Sequence, residues 1–263
     1  MRTPLALLWL CGLAFAAGCT TAKPKPDPLV QTKAQDNARI HFDLGVNAQS
    51  HGDVRTALQE YLNAVQFDPN CYQAENALGV LYHLSFRQPA VAEKHYQRAL
   101  QIKPTDSATK VNLAALYLDQ QRYGEAIALD EQVIADLEYK KQYLPANNEG
   151  WAYFKKGDAA RALQLIQDAV RSNPGFCQGY RNLGLIYESQ DKLDLSALEL
   201  SRMVKKCPDS AQGWYDLGRL QLRQHQADAA KKSFAKCRDA SKEGDPLLDG
   251  CAKLAGSPSG ATP

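Results

Sequence analysis

Residues 72–106 read YQAENALGVLYHLSFRQPAVAEKHYQRALQIKPTD, and the Leu78-Gly79 pair within them recurs along the chain. Spacings of 34, 35, 36, 34 and 34 residues separate successive pairs, which are Leu44-Gly45, Leu78-Gly79, Leu113-Ala114, Glu149-Gly150, Leu183-Gly184 and Leu217-Gly218. Each unit contains two helical runs, and one helical hairpin cannot bury its apolar face alone. The period therefore predicts hairpins that stack into a solenoid, whose function lies in a surface.

The residues around each pair resemble the tetratricopeptide repeat (TPR) family. In the first unit, the family's small, aromatic and proline positions are Leu44, Gly45, Ala57, Tyr61, Ala64 and Pro69. Small residues let two helices approach closely, and the ring fills the space between them. The resemblance implies an all-α, right-handed superhelical solenoid of six hairpins at residues 38–71, 72–106, 107–140, 143–176, 177–210 and 211–244. A short capping helix is expected at 245–254, inside a C-terminal segment and tail of 245–263.

Three units depart from the repeat pattern. The second carries one extra residue, which we expect in its turn near Gln88. In the third, Asp130 replaces the aromatic residue and Glu138 replaces the closing proline, so its second helix is expected to run on toward Lys140. In the fourth, Glu149 occupies a normally apolar position. The third unit is therefore the weakest match.

The N-terminus has the features of an export signal. Arg2 precedes an apolar run from residue 5 to residue 15, and small residues then precede Cys19. The stretch resembles the lipobox of bacterial lipoproteins, which implies a signal peptide at 1–18 and an acylated Cys19; an ordinary cleaved signal is the alternative. Thr20 resembles lipoproteins sorted to the outer membrane, so we expect lipid anchoring there, facing the periplasm. The polar, proline-containing residues 19–37 are expected to form a tether.

Five cysteines remain after the leader and Cys19, in a compartment expected to be oxidising. Cys177 and Cys207 lie at the same end of one predicted hairpin, so they can pair. Cys237 and Cys251 would then tie the last repeat to the capping segment. Pairing of Cys207 with Cys237 is the competing arrangement.

Composition and motifs argue against several function classes. The formal net charge is +2, with basic and acidic residues interleaved, so nucleic-acid binding has no support. No motif resembles a nucleophile elbow, a phosphate loop or a paired metal-ligand helix. We expect no enzyme activity, no catalytic residues, no cofactor, no metal site and no small-molecule substrate.

The first helix of each TPR hairpin lines the concave face of the solenoid with its second, fifth, sixth, ninth and twelfth residues. The sixth position is asparagine in three consecutive repeats, and such amides can bind the backbone of an extended peptide. The predicted partner-binding groove comprises Val111, Asn112, Leu118, Leu144, Asn148, Trp151, Phe154, Asn182, Leu185 and Asp216. The alternative is that these side chains pack on one another. The carboxylate clamp of some TPR proteins is absent, because Phe42, Val46, Ala108 and Asn112 occupy its positions.

A lipoprotein signal, a tether and six TPR units together resemble the type IV pilus pilotin family, which includes the PilF, PilW and Tgl lipoproteins. The resemblance implies a non-enzymatic protein that binds the secretin subunit and promotes its outer-membrane localisation or its assembly into multimers. Two alternatives stay open: a periplasmic TPR scaffold that recruits cell-wall hydrolases, or another envelope assembly factor.

Overall fold

Helices pair in sequence order in the computed structural model, which describes residues 28–242 and 244–256. Within these residues there is no strand, and neighbouring helices form six antiparallel hairpins followed by one further helix. This arrangement confirms the all-α solenoid. The helices are α1 Pro28–Ser50, α2 Val54–Phe67, α3 Tyr72–Val80, α4 Pro89–Ile102, α5 Ser107–Asp119, α6 Tyr123–Ile134, α7 Tyr143–Lys155, α8 Ala159–Ser172, α9 Cys177–Ser189, α10 Leu193–Lys206, α11 Ala211–Arg223, α12 Ala227–Ala240 and α13 Leu248–Gly256.

Inside five of the hairpins, a glycine of the first helix faces a large apolar residue of the second. A Cβ atom added to Gly79 would lie 2.5 Å from ring carbons of Tyr96, whose side chain is buried. Only glycine permits this approach of the two helices. The five pairs are Gly45 with Tyr61, Gly79 with Tyr96, Gly150 with Ile166, Gly184 with Leu200, and Gly218 with Phe234.

The first helix is longer than the repeat pattern predicts. α1 begins at Pro28, so residues 28–37 of the expected tether are helical. A helix can begin at proline because the first N–H groups have no acceptor within the helix. Polar residues such as Lys33, Gln35 and Asp36 are exposed there. The expected signal peptide, Cys19 and the tether up to residue 27 lie outside the described residues.

Two expectations about the irregular repeats are wrong in detail. The extra residue of the second repeat lies in a π-helical turn, Leu81–Ser85, where the Phe86 N–H donates to the Leu81 carbonyl at 3.0 Å. This wider turn absorbs one residue before α4 begins. In the third repeat, α6 ends at Ile134, and turns occupy residues 137–142. The Gln142 side-chain amide donates to the Asp136 carbonyl at 2.7 Å and holds these turns against the helix end.

The C-terminal end of the solenoid is covered by α13, which packs against α12. Cys237 and Cys251 are both buried in this contact, with their Cα atoms 5.8 Å apart. Cys177 lies beside Cys207 with Cα atoms 6.4 Å apart. The geometry thus places both pairs within disulfide reach in the expected combination. Cys71 is half-buried and has no disulfide partner among the described cysteines. Residues 257–263, expected as a tail, lie outside the described part.

Candidate functional site

The first helices of successive hairpins lie beside one another, with α5 against α7 and α7 against α9, and this row is the predicted inner surface of the solenoid. In the first three repeats they enclose an open cavity of about 330 Å³. Its wall is largely apolar and includes Phe42, Val46, Asn76, Ala77, Val80 and Ala108. Sequence reasoning placed the binding groove in repeats three to five and missed this cavity, although these residues occupy the same concave positions.

An aromatic pair stands at the middle of the inner surface. The rings of Trp151 and Phe154 lie 5.2 Å apart, and both side chains are half-buried against the cluster that contains Ile166. The Lys155 ammonium lies 4.9 Å from the Trp151 ring centroid and 5.6 Å from that of Phe154. These rings therefore keep accessible apolar surface beside a cation.

The other apolar residues of the predicted groove differ in exposure. Val111 is only 5% exposed, so it contributes little contact surface. Three leucines are half-buried and keep part of their surface accessible; they are Leu118, Leu144 and Leu185.

The predicted row of amides is mostly used between neighbouring repeats. The Asn182 amide donates to Asn147 at 2.9 Å and accepts from Gln178 at 2.9 Å, and Asn182 is 3% exposed. The half-buried Asn112 donates to Asn76 at 2.9 Å. These bonds connect the first helix of one repeat to the first helix of the next. The sequence could have revealed these bonds, because a polar residue at the fifth position of one repeat (Asn76, Asn147) is matched by a polar residue at the sixth position of the next (Asn112, Asn182).

Asp216 belongs to the same inter-repeat row in the last hairpin. Its carboxylate accepts from the Arg181 Nε at 2.6 Å and from the Gln212 amide at 2.9 Å. Asp216 is 4% exposed, so both oxygens are satisfied inside the protein. Asn182 and Asp216 therefore present almost no surface to a partner.

Two buried carboxyl groups meet where the third and fourth repeats join. Neither carboxyl oxygen of Asp130 has a hydrogen-bond partner of good geometry among the described residues. Burial raises the pKa of Asp130 to about 9; the Asn148 amide opposes this shift and the charge of Glu149 adds to it. Burial also raises the pKa of Glu149, against the effect of Arg161, whose Nη2 lies 3.3 Å from the carboxylate. The half-buried Asn148 therefore faces a cluster that favours protonated carboxyls.

Among residues 28–242 and 244–256, nothing packs over the N-terminal end of the stack. Ile40 is 54% exposed and Leu44 is 49% exposed, whereas their equivalents in the second repeat, Ala74 and Leu78, are fully buried. In the later repeats this face packs against the second helix of the preceding repeat. No helix of the described part of the chain takes that place at the first repeat. The end of the solenoid thus adds a second accessible apolar surface.

Neither a metal centre nor a membrane span is found in the described residues. No three His, Cys, Asp or Glu side chains come together there in a way that could hold an ion. Over the same residues, no helix is both long enough and apolar enough to cross a bilayer.

Comparison with known proteins identifies relatives of the chain. Type IV pilus assembly protein PilF of Pseudomonas aeruginosa is 25% identical over 174 residues, which make up 66% of this chain and 67% of that protein. Photosystem I assembly protein Ycf3 of a Synechococcus strain is 32% identical over 96 residues, covering 36% of this chain and 47% of Ycf3.

Solved structures agree with the fold. Pseudomonas aeruginosa PilF superposes with a TM-score of 0.62 at 17% identity, covering 85% of this chain and 98% of PilF. PilW, a type IV pilus biogenesis factor, gives a TM-score of 0.67 at 19% identity, covering 82% and 98%. Tetratricopeptide repeat profiles match residues 42–107 and 147–211, and a further one matches residues 83–138. Because these segments together span more than half of its length, the chain belongs to the tetratricopeptide repeat family.

Proposed function

We propose that the chain is a non-enzymatic pilotin of type IV pilus biogenesis. In this role it binds the outer-membrane secretin subunit and promotes its localisation or its assembly into multimers. The observation that carries the proposal is the similarity to PilF, which extends over about two thirds of both chains. A solenoid with an accessible inner surface suits such a task, since it can hold a segment of another protein without chemistry.

The proposed contact surface lies on the inner side of the central repeats. Trp151 and Phe154 supply rigid aromatic area, and Leu118 and Leu144 extend it to either side of Asn148. Aromatic residues in partly enclosed positions dominate the binding energy of many protein interfaces. An apolar or amphipathic segment of the secretin subunit is the expected occupant.

Trp151→Ala tests this surface directly. We expect capture of the secretin subunit to weaken about tenfold or more, because the largest ring of the proposed contact surface is removed. Secretin multimers should fall in cells that carry the variant, while secretin monomer remains. Binding is measured by crosslinking pull-down with the lipidated protein, and circular dichroism checks that the helices persist.

Leu44→Ser is the matched variant at the uncovered end of the stack. We expect it to leave secretin capture unchanged, since Leu44 lies outside the proposed surface. Loss of capture with Leu44→Ser and not with Trp151→Ala would place the contact at the end of the solenoid. If deletion of the protein changes cell-wall turnover while secretin multimers persist, the pilotin proposal is wrong and the protein acts as a scaffold for cell-wall hydrolases.

The proposed location is the periplasmic face of the outer membrane, with the lipid on Cys19. Envelope localisation accords with pilus-assembly relatives, and in that compartment both cysteine pairs are expected to be oxidised. Cys19→Ser should release the protein from the membrane fraction without affecting its helices, because acyl chains supply the membrane affinity. Fractionation after cell breakage measures this, and a variant that stays with the membrane would refute the anchor.

A further inference from the structure

Three arginines form ion pairs between the first helices of the last two repeats. Arg181 lies on α9, and Arg219 and Arg223 lie one turn apart on α11. Their side chains are 26%, 42% and 43% exposed, respectively. This arginine cluster occupies part of the inner surface that in the earlier repeats is mainly apolar.

Buried carboxylates hold the three guanidinium groups in place. Glu188, whose side chain is 7% exposed, accepts from Arg219 at 2.9 Å with one oxygen and from Arg223 at 2.8 Å with the other. Asp216 accepts from Arg181 at 2.6 Å. The arginines therefore reach the inner surface in fixed orientations, since both carboxylates are engaged.

The cluster retains capacity for an additional anion. A guanidinium carries several N–H donors, and the contacts to Glu188 and Asp216 use only some of them. The three guanidinium groups pair with three carboxylates: Glu188 and Asp216 are buried, whereas Asp191, which accepts from Arg223 at 3.2 Å, is 85% exposed at the rim. A carboxylate entering from the groove would meet preoriented donors of opposite charge.

We propose that the arginine cluster binds acidic side chains of the partner protein. The partner segment then has two parts: an apolar part on the aromatic pair of repeat four, and an acidic part on repeats five and six. The apolar part of this proposal rests on the proposed function. The acidic part is additional: it specifies the charge of the bound segment and the direction in which the segment runs along the solenoid. Complementary charge fixes the register of a segment that apolar contacts alone would leave free to slide.

The test compares two extended peptides that share an apolar half and end in three glutamates or three glutamines. Their binding to the whole chain is measured by fluorescence anisotropy. Arg219→Gln keeps the ion pair between Arg223 and Glu188. It should lower the affinity for the glutamate peptide about tenfold and change the affinity for the glutamine peptide little. Arg202→Gln is the matched control, because Arg202 lies on α10, is 52% exposed and pairs with Glu199. It should change neither affinity.

Equal affinities for the two peptides, or equal losses in both variants, would overturn the assignment. Secretin capture that depends on Trp151 but not on Arg219 would reject the arginine cluster and leave the pilotin proposal standing. If the native protein pellets with phosphatidylglycerol vesicles and Arg219→Gln does not, the arginine cluster binds lipid headgroups. That result would also overturn the proposal. A urea titration of each variant verifies that the repeats remain folded.

Discussion

Gly79→Ala should lower the stability of the solenoid by about 1–3 kcal/mol. The new methyl group would lie 2.5 Å from two ring carbons of Tyr96, and that ring is 1% exposed, so neighbouring groups must shift to make room. The hairpin of α3 and α4 then either opens or moves Tyr96 from its packed position. Urea unfolding followed by circular dichroism measures the change.

Gly124→Ala is the matched control for this prediction. Gly124 also lies in a helix, but a Cβ atom there would meet no heavy atom within 4 Å. The exchange should be neutral or stabilising by up to about 1 kcal/mol, because alanine loses less backbone entropy in a helix. If both variants unfold at the same urea concentration, the close approach at Gly79 is not what holds the hairpin together.

The regular part of the fold could be predicted because each repeat carries its own packing rule. Gly45 and Tyr61 stand 16 residues apart in sequence, and the same spacing separates Gly150 from Ile166. The extra residue of the second repeat makes the spacing 17 for Gly79 and Tyr96. A contact that recurs from repeat to repeat requires similar residue types at a similar spacing, so it is visible in the sequence. The irregular parts of the fold could not be predicted in the same way, since one extra residue can be accommodated in a π-helical turn or in a loop with the same local sequence.

The candidate site was less predictable than the fold. Position within the repeat predicted which residues face inward, but it could not tell whether their polar atoms were free. Asn182 satisfies its amide on Asn147 and Gln178, and this depends on the distance between adjacent first helices. Trp151 remains partly accessible, whereas Val111 is covered, and neighbouring side chains decide that difference.

Asp130 shows how two departures from the repeat pattern are coupled in space. It replaces the large residue of its hairpin and faces the junction with α7, whose Glu149 replaces a leucine. Ala114 stands in the third repeat where five others have glycine, so less room is left for a ring. The polar Asp130 thus fits the smaller space, but it cannot ionise there without losing its hydration.

Asp130→Asn should remove a dependence of stability on pH. The unfolded carboxyl releases its proton near pH 4, whereas the folded one keeps it up to about 9, so the folded state binds more protons between these values. Stability of the native protein therefore falls as pH rises through this window, by at most about 1.4 kcal/mol per pH unit. The amide variant should match the native protein near pH 4 and exceed it by up to about 4 kcal/mol at pH 7. Asp43→Asn, at an exposed position, is the control, and its urea unfolding should vary with pH as that of the native protein does. If the stability of Asp130→Asn still falls with rising pH as steeply as that of the native protein, Asp130 is not the source of the pH dependence.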